Sequence, residues 1–303
     1  MANIPSWVYK LLIVLATIIW GFSFVVMKDV VAVLPPAWLL GMRFLFAGAL
    51  LLVILRKRVM RFCSRKVVTY GFILGVLDFT AFWLQTVGLK HTTPGINAFL
   101  TATYCVLVPF AWWLIARKRP TAFNIVAAIV AVCGIWLVSV SSSGETLSIG
   151  FGEAMTLGCA VAFAAHIVAV SKFAQKCDAL VLTVFQFIAE GALGIIFGAA
   201  TETFPGIAAF TPEIIGQMLF LAVFASVVAF GIQNVSLAHV PPTQASLLLS
   251  LESVFGVVFS ILLYGEQMTL RLVVGFALIF AAIVISETLP LKEKPCRRKT
   301  TSS

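Results

Sequence analysis

Residues 85–94 read QTVGLKHTTP, and residues 233–242 read QNVSLAHVPP. Across this offset of 148, Gln85/Gln233, His91/His239 and Pro94/Pro242 are identical, and Thr121/Thr269 continues the spacing. A second pair, RFLFAGAL at 43–50 and QFIAEGAL at 186–193, lies at an offset of 143. It matches at Phe44/Phe187, Gly48/Gly191, Ala49/Ala192 and Leu50/Leu193. The matches keep their order in both halves. Self-similarity at a near-constant offset marks a fold made of two copies of one unit.

Composition says that these units sit in lipid. Of 303 residues, 61% are hydrophobic and 11% charged, against roughly 25% charged in a soluble domain. Mean hydropathy is +1.08. An ordinary soluble enzyme and a disordered chain are both excluded. The 21 Gly and 12 Pro follow no strict period, which excludes a collagen-like fibre. The net charge of +9 is broken into short clusters between apolar runs, a pattern of membrane topology and not of a nucleic-acid face. The cysteines Cys63, Cys105, Cys133, Cys159, Cys177 and Cys296 are scattered. Without CxxC or Cys/His spacing, neither a disulfide framework nor a metal site is expected.

A span needs about 20 mostly apolar residues. Ten such runs can be drawn, at 9–28, 37–55, 68–88, 95–116, 122–140, 150–172, 179–200, 214–237, 243–264 and 269–287. The first has no small-residue cleavage site before Lys28 and is expected to stay as a span. With the N-terminus inside, every Lys and Arg except Lys28, Arg43, Lys90 and Arg271 falls on the inner side, as the positive-inside rule requires. Both termini are therefore expected to be cytoplasmic. The outer segments 141–149 and 201–213 carry Glu145, Glu202 and Glu213, while the inner segment 238–242 has no base. The basic tail also offers a contact for anionic lipid.

Two copies of five spans each, at 1–145 and 146–290 with a tail at 291–303, have a topological consequence. Five is odd, so the second copy crosses the membrane in the opposite sense to the first. Inverted repeats of this kind place a solute site near the midplane between the halves. Exchange of the two halves' conformations alternates the access to it. HExxH, GxSxG, Walker lysine and GxGxxG patterns are absent, so no catalytic site, nucleotide or other cofactor is expected. Secondary transport follows, either as facilitated exchange or coupled to the proton gradient, with a small-molecule solute and lipid as the expected partners and protons in the coupled case.

Three segments carry a family resemblance: WGFSFVVMK (Trp20–Lys28), TTPGINAFLTATY with VPF (Thr92–Phe110), and LESVF with LLYGEQMT (Leu251–Thr269). Together they resemble the EamA family of the drug/metabolite transporter superfamily, over essentially the whole chain. Glu252 and Gly265-Glu266 stand where the family's second repeat usually has them. Ser253 replaces a Pro that often follows the acid, and Lys118 replaces a Glu that often ends the fourth span. The resemblance implies a ten-helix export carrier of the bacterial inner membrane, all-α, for amino acids, other small metabolites or drugs. Its motifs specify fold and are nearly silent on substrate.

Ionisable groups at bilayer depth cost about 2.5–3.5 kcal/mol on insertion scales and usually face a cavity or each other. Asp78 and Glu252 are central in the third and ninth spans. Each reads as a solute or proton carboxylate, or as a buried partner of neighbouring helices. Glu190 replaces Ala47 of the first copy, so the fold does not need it. It reads as a third coupling acid, as interhelical packing, or as a lipid-side defect. Arg43 either snorkels to the outer interface or pairs with an acid or a solute carboxylate.

The uncharged candidates are Trp20, Ser23, Gln85, Thr101, Tyr104, His166, Gln233 and Asn234. The repeat pairs Trp20–Ser23 with Phe163–His166 and Tyr104 with Glu252. Symmetry-related polar positions suggest a shared cavity, expected to be lined by spans 1, 3, 4, 6, 8 and 9. His91 and His239 read as turn residues near Pro94 and Pro242. Gly71/Gly75 and Gly194/Gly198 have the spacing for close helix packing, within a monomer or across a homodimer. Three rivals remain: a nucleotide-sugar or phosphate-ester antiporter on the same architecture, which predicts several buried Lys or Arg; a membrane-embedded enzyme using His166 with Glu190; and a scaffold.

Overall fold

The structure is a computed structural model that describes residues 5–117, 119–139, 149–174, 176–237 and 248–288. Lys118, Glu145, His239, Pro242, Cys296 and the basic tail lie outside the described residues, as do the side chains of Asn234 and Glu287. Regular structure among the described residues is helical. The elements are α1 (Ser6–Val33), α2 (Pro36–Ile54), α3 (Arg56–Phe62), α4 (Arg65–His91), α5 (Pro94–Ala102), α6 (Tyr104–Ala116) and α7 (Ala122–Ser139). They continue with α8 (Phe151–Phe173), α9 (Ala179–Thr201), α10 (Pro212–Phe220), a π-helical stretch (Leu221–Val228), α11 (Ala229–Leu237), α12 (Leu251–Tyr264) and α13 (Leu270–Thr288). Among the described residues, seven helices are long and apolar enough to cross a membrane. Shorter apolar helices occupy Ala122–Val138, Leu251–Tyr264 and Leu270–Ser286.

Local chemistry sets the helix starts. Pro36, Pro94 and Pro212 take the first turn of α2, α5 and α10, where the missing N–H costs nothing. The side chains of Ser64, Thr93, Asp178 and Thr211 accept from the backbone N–H of Val67, Ile96, Val181 and Ile214, as N-caps do.

Three features depart from the expected runs. The fourth run is broken at Thr103, whose hydroxyl donates to the Leu100 carbonyl at 2.6 Å. The eighth contains the π stretch, in which Ser226 Oγ donates to the Leu221 carbonyl, five residues back, at 3.1 Å. Finally, α1 and α4 continue through Lys28 and His91, so His91 is helical and not a turn residue. Lys28 Nζ donates to the carbonyls of Leu89 (2.7 Å), Lys90 (3.2 Å) and Thr92 (2.7 Å). These are C-terminal carbonyls of α4 that would otherwise be orphaned. The same end of the molecule is stitched by acids. Glu202 accepts from the amides of Ala37 and Trp38, Glu153 from Thr92, Glu266 from Thr93, and Asp29 from Tyr264.

Glycines let the helices meet. α2 crosses α9 so closely that a Cβ on Gly194 would stand 2.6 Å from Gly41 Cα. Gly71 and Gly75 of α4 face Phe185 and Ala189 of α9, and Gly198 faces Trp38. Both small-residue pairs seen in the sequence are thus filled by neighbours in the same chain. α7 crosses α13 at Gly134 and Gly275 in the same way. Large apolar side chains such as Val53, Leu114, Val132, Val161, Ile196 and Leu262 remain exposed on the outer surface, where lipid is their solvent.

Candidate functional site

The packed helices leave a cavity of about 230 Å³. α1 contributes Trp20, Ser23, Phe24 and Met27; α4 contributes Asp78, Phe82 and Gln85; Thr101 and Tyr104 come from α5 and α6. α8 contributes Phe163, His166, Ile167, Val170 and Ser171, α11 Phe230 and Gln233, and Glu252 comes from α12. Two contributors run against the expectation of six lining spans. Arg43 of α2, and Thr183 and Gln186 of α9, also reach the cavity. α9 also packs on the cavity-lining α4, with Gly71 and Gly75 against Phe185, Gln186 and Ala189, and α2 crosses α9 at Gly41 and Gly194.

Apolar walls come from aromatic pairs. Trp20 meets Phe230 edge-on at 5.4 Å, and Phe82 meets Phe163 at 5.1 Å. Phe44 and Phe187 lie 5.2 Å apart behind them. Trp20 Nε1 donates to the Ala225 carbonyl at 2.8 Å, inside the π stretch.

The polar groups fall into two sets. Gln85 Nε2 donates to Thr101 Oγ1 at 3.2 Å, Ser23 Oγ to the Trp20 carbonyl at 2.7 Å, and Tyr104 hydrogen-bonds the Glu252 carboxyl. The second set is ionisable and buried. Gln186 Nε2 donates to Asp78 Oδ2 at 2.6 Å. Asp78 Oδ1 accepts no hydrogen bond and stands 3.6 Å from His166 Nδ1. Arg43 is 2% exposed, so it does not snorkel. Its Nε donates to Ser226 Oγ at 3.0 Å, Nη1 approaches Met27 Sδ at 3.5 Å, and the guanidinium lies over Phe44 and Phe82. Neither Asp78 nor Glu190 closes an ion pair on it within 4 Å among the described residues. Glu190 is fully buried beside Asp78, does not line the cavity, and is not on the lipid side. Gln233 is half-buried on the wall.

The repeat offsets recur in this geometry. Shifts of 143 on the first two runs and 148 on the third and fourth pair Trp20/Phe163, Ser23/His166, Met27/Val170, Arg43/Gln186, Phe82/Phe230, Gln85/Gln233 and Tyr104/Glu252 across the cavity wall. They also relate contacts. The Arg43–Ser226 hydrogen bond maps onto Gln186–Asp78, and the Trp20–Phe230 contact maps onto Phe163–Phe82. Gln186 and Ser226 were not singled out in the sequence, although each is the repeat mate of a residue that was.

Outside the membrane-spanning segments, Arg58 of α3 and Asp178 pair at 2.8 Å. Partial burial works against the Asp178 carboxylate, but the Arg58 guanidinium and the Val181 amide overcome it and hold its pKa below the ordinary value. Among the described residues, no group of His, Cys, Asp and Glu is arranged to hold a metal ion.

A profile described as the EamA-like transporter family matches residues 7–140 and 150–288. An Archaeoglobus fulgidus protein named as an uncharacterized transporter is 29% identical over 89% of this chain and 83% of its own. Protein PagO of Salmonella typhimurium is 26% identical over 95% of this chain and 96% of its own, and the Bacillus subtilis transporter YoaV is 22% identical over 90% and 94%. A crystal structure superposes with a TM-score of 0.65 over 93% of this chain and 98% of its own, at 17% identity, a likeness of fold alone.

Proposed function

Given that the chain belongs to the EamA-like transporter family and is a multi-pass helical membrane protein, we propose that it exports small amphipathic solutes, amino acids among them, across the bacterial inner membrane. Ten spans form two inverted five-helix halves, with both termini cytoplasmic. The halves rock around the central cavity, and proton movement through Asp78, Glu190 and Glu252 is coupled to the cycle.

One observation carries the reading: charged and polar groups from both halves converge on one aromatic-walled cavity. Insertion of such groups is costly unless they meet a cavity or one another. The mapping of Arg43–Ser226 onto Gln186–Asp78 supports a pseudo-twofold relation between the halves. The clustering of bases at one end supports the orientation. Trp20, Phe82, Phe163 and Phe230 offer apolar surface to a side chain, while Asp78, Glu252 and Arg43 offer complements to ammonium and carboxylate ends. A cavity of about 230 Å³ is small beside the roughly 300–1,000 Å³ of drug-sized sites, which favours small metabolites. A nucleotide-sugar solute would need more room and more buried bases than Arg43 supplies.

Counterflow in proteoliposomes against a panel of amino acids and amphipathic amines tests this reading. Wild-type protein should exchange at least one labelled solute and accumulate it under an imposed pH gradient. Asp78→Asn and Glu252→Gln should each slow exchange at least about tenfold, the loss from roughly 1.4 kcal/mol of binding. Native exchange rates in both variants would refute the site.

A further inference from the structure

α1 has two opposite faces. At about 100° per residue, Trp20, Ser23, Phe24 and Met27 turn one way, into the central cavity. Phe22, Val25, Val26 and Asp29 turn the other way and line a separate cleft of about 620 Å³. Gln217 and Phe220 of α10 and Leu263 and Tyr264 of α12 form its far wall. Leu263 and Tyr264 are exposed, so the cleft opens on the outer surface of the helix bundle.

The cleft has an apolar floor and a polar rim. Phe22 packs edge-on against Phe220 and Phe259, with centroids 5.2 and 5.4 Å apart, and Val25 and Val26 continue the apolar wall. Asp29 lies about 10 Å further along the helix, one turn before α1 ends at Val33. Its Oδ1 accepts from the Tyr264 hydroxyl, and its Oδ2 from Gln217 Nε2 at 3.4 Å. Both oxygens keep lone pairs after those bonds. Among the described residues no base lies within 4 Å of this carboxylate. The adjacent Lys28 is spent on the carbonyls of Leu89, Lys90 and Thr92. Gln217 Oε1 is buried on the same rim and has no donor, an arrangement that costs stability until a donor arrives. The fold does not call for an acid here, since the repeat mate of Asp29 is Lys172.

Two acceptors, one of them charged, above an apolar trough complement a primary ammonium carried on an apolar body. A primary ammonium brings three N–H donors, whereas a quaternary head brings charge and no donor. A cleft that opens on lipid, with its acid near a helix end and its floor at hydrocarbon depth, matches the layout of a phospholipid. We propose that this cleft holds one ethanolamine-headed phospholipid. Its ammonium donates to Asp29 and to Gln217 Oε1, and an acyl chain lies along Val26, Val25 and Phe22. The bound lipid ties α1 to α10 and α12. The site stands apart from the central cavity and does not depend on what that cavity carries.

Native mass spectrometry of the full-length protein in detergent, titrated with dioleoyl phospholipids that differ only in the head group, tests this. Wild type should retain one ethanolamine lipid at least about tenfold more tightly than the choline lipid, as expected when hydrogen bonds to a charged group are lost. The N-methyl and N,N-dimethyl lipids should fall between them, in that order. Asp29→Asn should erase the preference, and Gln217→Leu should narrow it. Asp78→Asn, on the other face of α1, should keep it. If Asp29→Asn does not fold, the methylation series on wild type still decides. Equal retention of all four heads would overturn the proposal, leaving Asp29 as a tie between helices. A preference that survives in Asp29→Asn, or that disappears in Asp78→Asn, would place the lipid elsewhere and overturn it too. So would displacement of the lipid by an equal concentration of water-soluble phosphoethanolamine, which would assign the cleft to a free amine.

Discussion

Adding one methyl group at Gly194 should damage this protein more than its size suggests. A Cβ there would lie 2.6 Å from both Cα and N of Gly41 and 3.0 Å from the Ala37 carbonyl oxygen. Carbon atoms prefer separations of about 3.5–4.0 Å, and the obstructing atoms are backbone, which cannot swing away. The α2 and α9 axes must therefore part by roughly 1 Å at the crossing. Overpacking of this kind costs about 1–3 kcal/mol. The displacement is felt at the cavity, because α2 carries Arg43 while α9 carries Gln186 and Glu190. Where α9 takes up the displacement, Gln186 shifts against Asp78 of α4, and about 1 Å lengthens their 2.6 Å bond past hydrogen-bonding range. Gly194→Ala should lower the melting temperature in detergent by several degrees and depress counterflow. Gly216→Ala is the control. It lies in α10, where an added methyl group would find nothing within 4 Å, and alanine there gains about 0.5–1 kcal/mol of helix propensity. Equal melting temperatures for the two variants would refute the argument that the crossing sets the cavity.

Trp20→Phe keeps the edge contact with Phe230 but removes the Nε1 donor to Ala225. The expected cost is about 0.5–1.5 kcal/mol, read as a small fall in melting temperature, and an unchanged value would mean that the bond contributes nothing. The Arg58–Asp178 pair gives a pH dependence whose sign is fixed. Because the folded Asp178 pKa is depressed, its stabilisation is fully present above the ordinary carboxylate value and is lost as pH falls through the folded value. The pair is largely exposed on the Arg58 side, so the contribution stays below about 1 kcal/mol. Asp178→Asn should flatten that part of an acid melting curve, and parallel curves for wild type and variant would contradict it.

Much of the cavity lining is legible in the sequence, for a physical reason. Burying a charge in lipid is costly, so Arg43, Asp78, Glu190 and Glu252 announce themselves against an apolar background. The repeat adds depth information, since Tyr104 and Glu252, or Ser23 and His166, occupy equivalent levels. Gln186 carries no site signal in the sequence although it is the mate of Arg43, because a lone amide in a span has many uses. The part played by α2 and α9 was hidden more thoroughly. It depends on Gly41 meeting Gly194, a contact between positions far apart in the chain that no local pattern encodes. The π stretch at Leu221–Val228 was equally invisible, since its apolar residues suit an ordinary helix and the extra residue per turn is set by packing. Lys28 misled in the other direction: its long stem lets a helix continue past a charge.

The matched contacts Arg43–Ser226 and Gln186–Asp78 have the same shape and different electrostatics. In a carrier of two interchangeable halves, identical sockets would make the two facings of the empty molecule degenerate. Here one socket holds a cation against a hydroxyl, and the other holds an anion against an amide. Swapping their surroundings therefore changes the energy even with no cargo aboard. On the proposed alternation, the empty molecule would favour one facing over the other, while the gradients across the membrane would still set the direction of net movement.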